Sequence, residues 1–487
     1  MNKIRISFIL GIVVLHLSGF VSAQQTYSLE DIVQMAKAQS PFAKLAETRK
    51  ENKYWEYRFF KSNYNPQLRL SGNFPGYNQD YFQNRLDDGT IRYQQQEQTN
   101  ASVNLGLEQP IFFTGGTLSV NTGVNRYDDY LFNIKQFSGT VVNIQLIQPI
   151  LGFNDLRWDK KTDPILYEES KRSFVQEMES ISQEASTRFF TVLDAQINLQ
   201  LAEYNLANND TIYKIEQGRY NIGTTTKDKL LQAELQLLQS RQQVTAARIN
   251  LQNSKLSMRS YIGLREFDEF ALVLPEYIPS LSLNVDRAVE YAQQNSAEFI
   301  AFKRRRIEAE REVARARGQR NQINLVASYG LNNSGEQMAD IYDDPLSQQR
   351  VNLGFNFPVL DWGRNRARMR TAIANQKLSN YVIEQDEVIF EQGIITQVSQ
   401  FEVLLSQIEI TKKSDEIAQE RYAVSQNRYL IGKIDITNLN LALKDKDEAK
   451  RAYVDALRAF WTAYYKLREL TLYDFSNDRL LYNPDAK

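Results

Sequence analysis

Residues 218–264 and 427–473 are the same piece of structure written twice, 209 positions apart, and this duplication limits the possible folds more than any single side chain does. Gly218-Arg219-Tyr220-Asn221-Ile222-Gly223 reappears as Asn427-Arg428-Tyr429-Leu430-Ile431-Gly432. Behind each glycine runs a heptad pattern. The first copy places Leu230, Leu237, Val244, Leu251 and Met258 seven apart, with Ala233, Ser240, Ala247, Ser254 and Tyr261 three positions further on. The second keeps the small column as Ala442, Ala449, Ala456, Ala463 and Leu470, beside Leu439, Lys446, Tyr453, Phe460 and Leu467. Small residues at every seventh position let helices approach closely along their whole length, a requirement of paired coiled-coil helices rather than of a globular core.

Lys3 and Arg5, an apolar run from Ile6 to Leu17 and then Val21-Ser22-Ala23 read as an export signal over residues 1–23. No later stretch approaches the ~18 uninterrupted apolar residues of a membrane-spanning helix. The chain has no cysteine, so an exported protein of this composition is held by burial rather than by disulfides. His16, the only histidine, falls inside the signal, which leaves neither His nor Cys for metal binding or nucleophilic chemistry. No metal, cofactor or catalytic residue is therefore expected. Without Lys3 and Arg5 the 58 basic residues become 56, against 59 acidic ones; the resulting net charge of −3 argues against nucleic acid as a partner.

The two halves read in parallel. Ser28-Leu29-Glu30-Asp31 and Asn284-Val285-Asp286-Arg287 each open a helix, with a polar cap ahead of acidic residues that suit the positive end of the helix dipole. These helices are predicted to run to about Asn63 and Arg320. Strict alternation follows: Leu68, Leu70, Gly72 and Phe74 in the first half, and Ile323, Leu325, Ala327, Tyr329 and Leu331 in the second, each interleaved with small or polar residues. Returning strands carry Val142, Ile144 and Leu146 before Pro149, and Val351, Leu353, Phe355 and Phe357 before Pro358, again 209 apart. The first half adds a hairpin, with Ala101 to Leu107 and Leu118 to Val124 alternating on either side of Gly115-Gly116. Six strands of roughly ten residues, apolar on one side and Asn/Gln/Ser/Gly on the other, match a membrane barrel with lipid outside and water inside. A soluble sandwich has the same alternation, but polar connections of ~30 residues and long helices joined directly to the strands fit it poorly.

From about Asp163 to Arg219 and from about Asn365 to Tyr429 the pattern is helical, spanning roughly 85 and 100 Å at 1.5 Å per residue. Each long helix turns at its glycine motif and returns as the heptad helix. Gly223 and Gly432 can end a helix in the left-handed conformation, and Thr226 and Asp435 can cap the next one. A turn alone does not require Arg219 and Arg428 at the same offset in both copies. Those arginines point to contact with a partner or with a neighbouring helix.

This order of helix, strands, long helix, Arg-Tyr-x-x-Gly turn and heptad helix, used twice, resembles the TolC family of outer-membrane efflux proteins across nearly the whole chain after the signal. The resemblance implies an α+β membrane protein in which duplicated α-helical hairpins form a coiled-coil barrel joined to outer-membrane β-barrel strands. It further implies a homotrimer set in outer-membrane lipid, a passive channel whose helical part lies in the periplasm. Its tip, formed by Arg219, Tyr220, Gly223, Thr226, Arg428, Tyr429, Gly432 and Asp435, would dock a periplasmic adaptor (membrane fusion protein) coupled to an inner-membrane transporter. The implied boundaries are a signal at 1–23, a first repeat at 24–283, a second at 284–472 and a tail at 473–487. Within the first repeat lie strands over about 67–150, with the extra hairpin at 101–125, a helical hairpin at 163–262 and an irregular linker at 264–283. The second holds strands over about 322–357 and a helical hairpin at 365–472.

Two features depart from the family pattern. Family members commonly contribute four strands per subunit and this chain has six, so the barrel holds 18 strands instead of 12, or the extra hairpin stands outside the membrane. Some relatives carry an aspartate six residues after the tip glycine that helps close the entrance, where this chain has Lys229 and Asn438. Lys227 and Asp228 lie at the same level, and Asp228 is open to ion pairing or to solvent. Aromatic residues gather where helix meets strand, and Phe153 and its repeat partner Trp362 suit a membrane-interface belt. Two other readings are a periplasmic adaptor, which also uses helical hairpins, and a carboxylate-dependent surface hydrolase built on Asp87, Asp88, Asp343 and Asp344.

Overall fold

The computed structural model describes residues 25–264, 270–279 and 283–483, so the expected export signal lies outside the described residues. The chain opens with β1 (Gln25–Tyr27), α1 (Leu29–Gln39) and α2 (Pro41–Ser62), followed by β2 (Gln67–Arg85), β3 (Ile91–Ile111), β4 (Gly116–Asp129) and β5 (Ile134–Leu151). The hairpin α3 (Asp155–Asn221) and α4 (Lys227–Ile262) comes next, then β6 (Phe270–Leu272). The second half runs α5 (Val285–Asn295), α6 (Ala297–Gly318), β7 (Gln322–Gly335), β8 (Leu346–Asn356), α7 (Arg364–Leu430) and α8 (Ile436–Thr471), and closes with β9 (Tyr473–Asp474) and β10 (Arg479–Leu480). Helices α3 and α7 have 67 residues each and α4 and α8 have 36 each, and every boundary coincides at the 209-residue offset.

The leading helix of each half is two helices rather than one. Ser28 caps α1 through a reciprocal capping box with Asp31, and Asn284 Oδ1 accepts from the Arg287 N–H at 3.2 Å, as their sequences predict. Each then breaks eleven residues on. Pro41 cannot supply an N–H to continue α1 and instead starts α2, where a missing donor is harmless. In the second half Ser296 ends α5 and caps α6 by accepting from the Phe299 N–H.

The chain divides into two units. One comprises the chain up to Pro41 with Ser182–Ile278 and Ile408–Ala459. Here the heptad columns are buried as the repeat requires, with Ala233, Leu237, Ser240, Val244, Ser254 and Met258 of α4 all inside. Lys446, the one charged member of the large column, fits because its ammonium lies 4.5 and 4.6 Å from the ring centroids of Tyr204 and Tyr422. The linker contains more order than its prolines suggest. β6 pairs in parallel with β1, and Gln196 brackets Leu272 with two 3.0 Å hydrogen bonds.

The second unit comprises Phe42–Ile181, Pro279–Gln407 and Phe460–Lys487. Its six long strands form one antiparallel sheet in the order β2-β3-β4-β5-β7-β8, so the sandwich alternative fails. The register keeps the apolar residues on one face: Leu70 opposes Leu105, Leu107 opposes Val120, Val120 opposes Ile144 and Leu325 opposes Leu353. Ladders running 67–85 against 91–108 replace the polar connection expected over residues 75–100. The β7–β8 connection folds onto the apolar face, where Ile341 is fully buried against Gly139; a β-carbon at Gly139 would meet Ile341 Cγ2 at 2.8 Å. The tail, expected to be irregular, forms a short antiparallel ribbon of β9 with β10.

Candidate functional site: the paired helical turns

Both turns that end the long helices are built alike. Gly223 and Gly432 have φ of +76° and +73°, a left-handed conformation that a side chain disfavours. The Gly223 N–H reaches Tyr220 O at 3.0 Å and the Thr224 N–H reaches Arg219 O at 2.8 Å; Gly432 to Tyr429 O and Lys433 to Arg428 O repeat the pattern at 2.9 and 2.8 Å. This is the Schellman arrangement, which satisfies carbonyls the helix end would otherwise leave unpaired. The caps of the following helices differ. Asp435 Oδ1 accepts from the backbone N–H of Asn438 at 2.9 Å, whereas Thr226 makes no side-chain cap.

The two arginines stand in unlike surroundings. Arg219 lies across the end of α7: its Nη2 donates to the carbonyls of Tyr429 and Leu430 at 3.4 and 3.3 Å, and its guanidinium lies 5.3 Å from the Tyr429 ring centroid. Its Nη1 also donates to Glu216 Oε1 at 2.8 Å, and the Tyr429 hydroxyl donates to the same oxygen at 2.7 Å. Arg219 thus places a positive charge on the negative end of the neighbouring helix. Arg428, its repeat equivalent, is exposed and makes no ion pair among the described residues. Tyr429 is 2% exposed within a cluster holding Ile212, Tyr422, Ile436 and Leu439, whereas its equivalent Tyr220 is 41% exposed.

Glu216 is the functional-site residue that the repeat does not reveal, because position 425 of the second copy is a serine. Burial pushes its carboxyl up, but the hydrogen bonds from Tyr429 and Arg219 outweigh this and hold it below its ordinary value of 4.5. Burial, and then the Glu216 bond and charge, push the Tyr429 hydroxyl up. A carboxyl depressed on folding contributes stability that is present above its unfolded pKa and disappears as pH falls through the folded one. Thermal unfolding followed from pH 7 to below about 4.5 is therefore expected to show an acid loss of stability that Glu216→Gln reduces; an unchanged profile would remove Glu216 from the lock.

The residues at the expected gate are brought to the same end but not to one another. Lys227, Asp228 and Lys229 are exposed in the first turn of α4, and Asp228 makes no ion pair among the described residues. Asn438 is occupied with Asp435. At the helix-bearing end of the sheet Trp362 is 91% exposed, while Phe153 is half-buried with the Arg315 guanidinium 5.0 Å from its ring centroid. Phe113, in the β3–β4 turn, is 68% exposed at that same end and has no counterpart in the second repeat to mark it. Among the loop acids, Asp88 has a structural partner: its Oδ1 accepts from the Thr90 N–H and hydroxyl at 2.9 and 2.6 Å.

An antiparallel sheet, apolar on one face, joined to twice-repeated long helical hairpins is the fold of TolC-like outer-membrane channels. Residues 117–264 and 288–471 match the family "Outer membrane efflux protein", and the chain belongs to that family of efflux channels. Among solved structures it is similar to the CmeC outer membrane channel of Campylobacter jejuni, at 13% identity and a TM-score of 0.63 over 91% of this chain and 85% of that one. It is similar to VceC of Vibrio cholerae, at 14% identity and 0.62 over 91% and 95%, and to the open state of MtrE of Neisseria gonorrhoeae, at 14% and 0.62 over 91% and 88%. No curated protein matches the chain by sequence.

Proposed function

We propose that this efflux channel works as a homotrimer: a passive exit duct with its sheet in the outer membrane, its helices in the periplasm, and its paired turns docking an adaptor coupled to an inner-membrane pump. The observation that carries the reading is a pair of unpartnered heptad stripes. On α7, Ile410, Ile417 and Val424 recur every seven residues, Ile431 continues the series just past the helix end, and all four are more than half exposed. On α4, Leu231 and Leu238, and then Ile249 and Leu256, form two pairs seven apart that are likewise more than half exposed, on the face turned away from the buried columns. Stripes of this period are covered by another helix, and a second copy offers α4 to α7. Repeating that contact closes a ring, as a heterologous interface does when its rotation closes. Tyr220 and Arg428, exposed where Tyr429 and Arg219 are engaged, then stay open to the adaptor at the tip. Lys227, Asp228, Lys229 and Asn438 would line the entrance beside them, and Phe153 and Trp362 would lie near the membrane boundary.

Such a duct performs no chemistry, and its transport energy comes from the pump. Deletion of the protein is expected to abolish export while the pump retains its ATP hydrolysis or proton coupling. The purified protein should migrate as a heat-stable trimer and conduct ions in planar bilayers once the turns are mutated. Failure of every turn variant to conduct would overturn the duct.

A further inference from the structure

The geometry points to a barrel of 18 strands, six from each of three copies, whose wide lumen passes bulky hydrophilic solutes. This rests on the exit-duct reading and adds the class of cargo to it. The first observation is where the additional strands lie. β3 and β4 sit in the middle of the sheet, between β2 and β5, and β2 does not pair with β5. The hairpin is therefore part of the wall, and it cannot stand apart without opening the sheet.

The second observation is the pair of free edges. Every residue of β8 and all of β2 but Gly76 are exposed, including Leu68 and Leu70 on one edge and Leu353 and Phe355 on the other. Long edges with exposed apolar residues invite pairing. Five successive antiparallel ladders leave β2 and β8 antiparallel to each other, so β8 of one copy can accept β2 of the next in the same sense, with its apolar residues still on the outer face. β8 has 11 residues, the length a tilted strand needs to cross a bilayer.

Three copies then give a diameter of ~36 Å for strands ~4.8 Å apart and tilted by about 40°, against ~24 Å for 12 strands. The polar face of the wall consists largely of amides and glycines. One row across the sheet reads Arg69, Gly106, Asn121, Asn143, Gly330 and Gln348. Rings of charge are what make a pore select ions, and Arg69 in this row, with Glu108 and Arg350 in the next, supplies charge of both signs. The β7–β8 connection leaves the polar side clear, since its turn packs on the apolar face against Gly139.

The absence of cysteine makes the test clean. Ser71→Cys in β2, combined in turn with Gln348→Cys, Arg350→Cys or Asn352→Cys in β8, is to be oxidised in outer membranes of cells carrying the full-length protein. A trimer held by reducible cross-links is expected for at least one pair, and cryo-electron microscopy of the trimer should count 18 strands. In planar bilayers an opened turn variant should admit uncharged polyethylene glycols up to a diameter on the order of 25 Å. A trimer with any other strand number, no cross-link at any pair, or exclusion of polymers wider than a barrel of ~12 strands would pass overturns the wide barrel while leaving an export duct standing. Absence of both trimer and conductance overturns the duct itself.

Discussion

Arg428→Ala is expected to reduce export of a dye or drug by about tenfold or more while leaving the amount of trimer unchanged, because losing charge-assisted hydrogen bonds at a docking surface costs ~1.5–3 kcal/mol. In the single chain Arg428 is exposed and holds nothing together, so its removal leaves the fold intact. Arg219→Ala behaves differently. It strips Glu216 of its cationic partner and uncovers the Tyr429 ring, so both trimer yield and thermal stability fall along with export. Gly432→Val offers an independent probe. A β-carbon there meets open space, so the cost is that of the left-handed backbone alone, ~1–2 kcal/mol. Efflux measured in cells with trimer quantified on gels separates the three. Unchanged efflux in both Arg428→Ala and Gly432→Val would remove the turns from docking.

The unequal surroundings of these arginines also show what could and could not be read from the sequence. Most of what recurs at the 209-residue offset is legible, namely the long helices, the heptad columns and the glycine turns, but α3 starts at Asp155, eight residues before the expected Asp163, and carries Pro164 inside it. What one copy alone carries is not legible. Glu216 has only Ser425 opposite it, so comparing the repeats gives it no weight, although it organises the turn. Residues 77–97 form strands yet read as a polar connection, because alternation is visible only where one face is apolar, and here Tyr, Gln, Asn and Asp occupy both. The breaks at Pro41 and Ser296 were missed for a further reason: the apolar pattern on either side is helical and continues through them. A proline or serine at the right place converts one helix to two without disturbing that pattern.

Arg468→Ala is expected to be strongly destabilising, at ~3–5 kcal/mol, because it removes the close cation from two buried carboxylates and leaves Asp474 only the more distant Arg479 at 3.9 Å. Arg468 Nε donates to Glu179 Oε2 at 2.7 Å and its Nη1 to Asp474 Oδ2 at 2.8 Å, and both acids are almost fully shielded. Burial pushes Asp474 up, but hydrogen bonds from Ser476 and Asn477 and the charge of Arg468 bring it down to about 2, so it stays ionised at neutral pH. The Tyr464 hydroxyl completes the cluster by donating to Asp474 Oδ1 at 3.1 Å. If unpaired charge is the cause, neutralising the acids should repair the loss. The triple variant Arg468→Met, Glu179→Gln, Asp474→Asn is then expected to recover much of the stability that Arg468→Ala removes, as read by thermal unfolding of the purified trimer. A triple variant no more stable than Arg468→Ala would mean that packing of the long side chain, rather than charge, holds the end of α8 to α3 and β9.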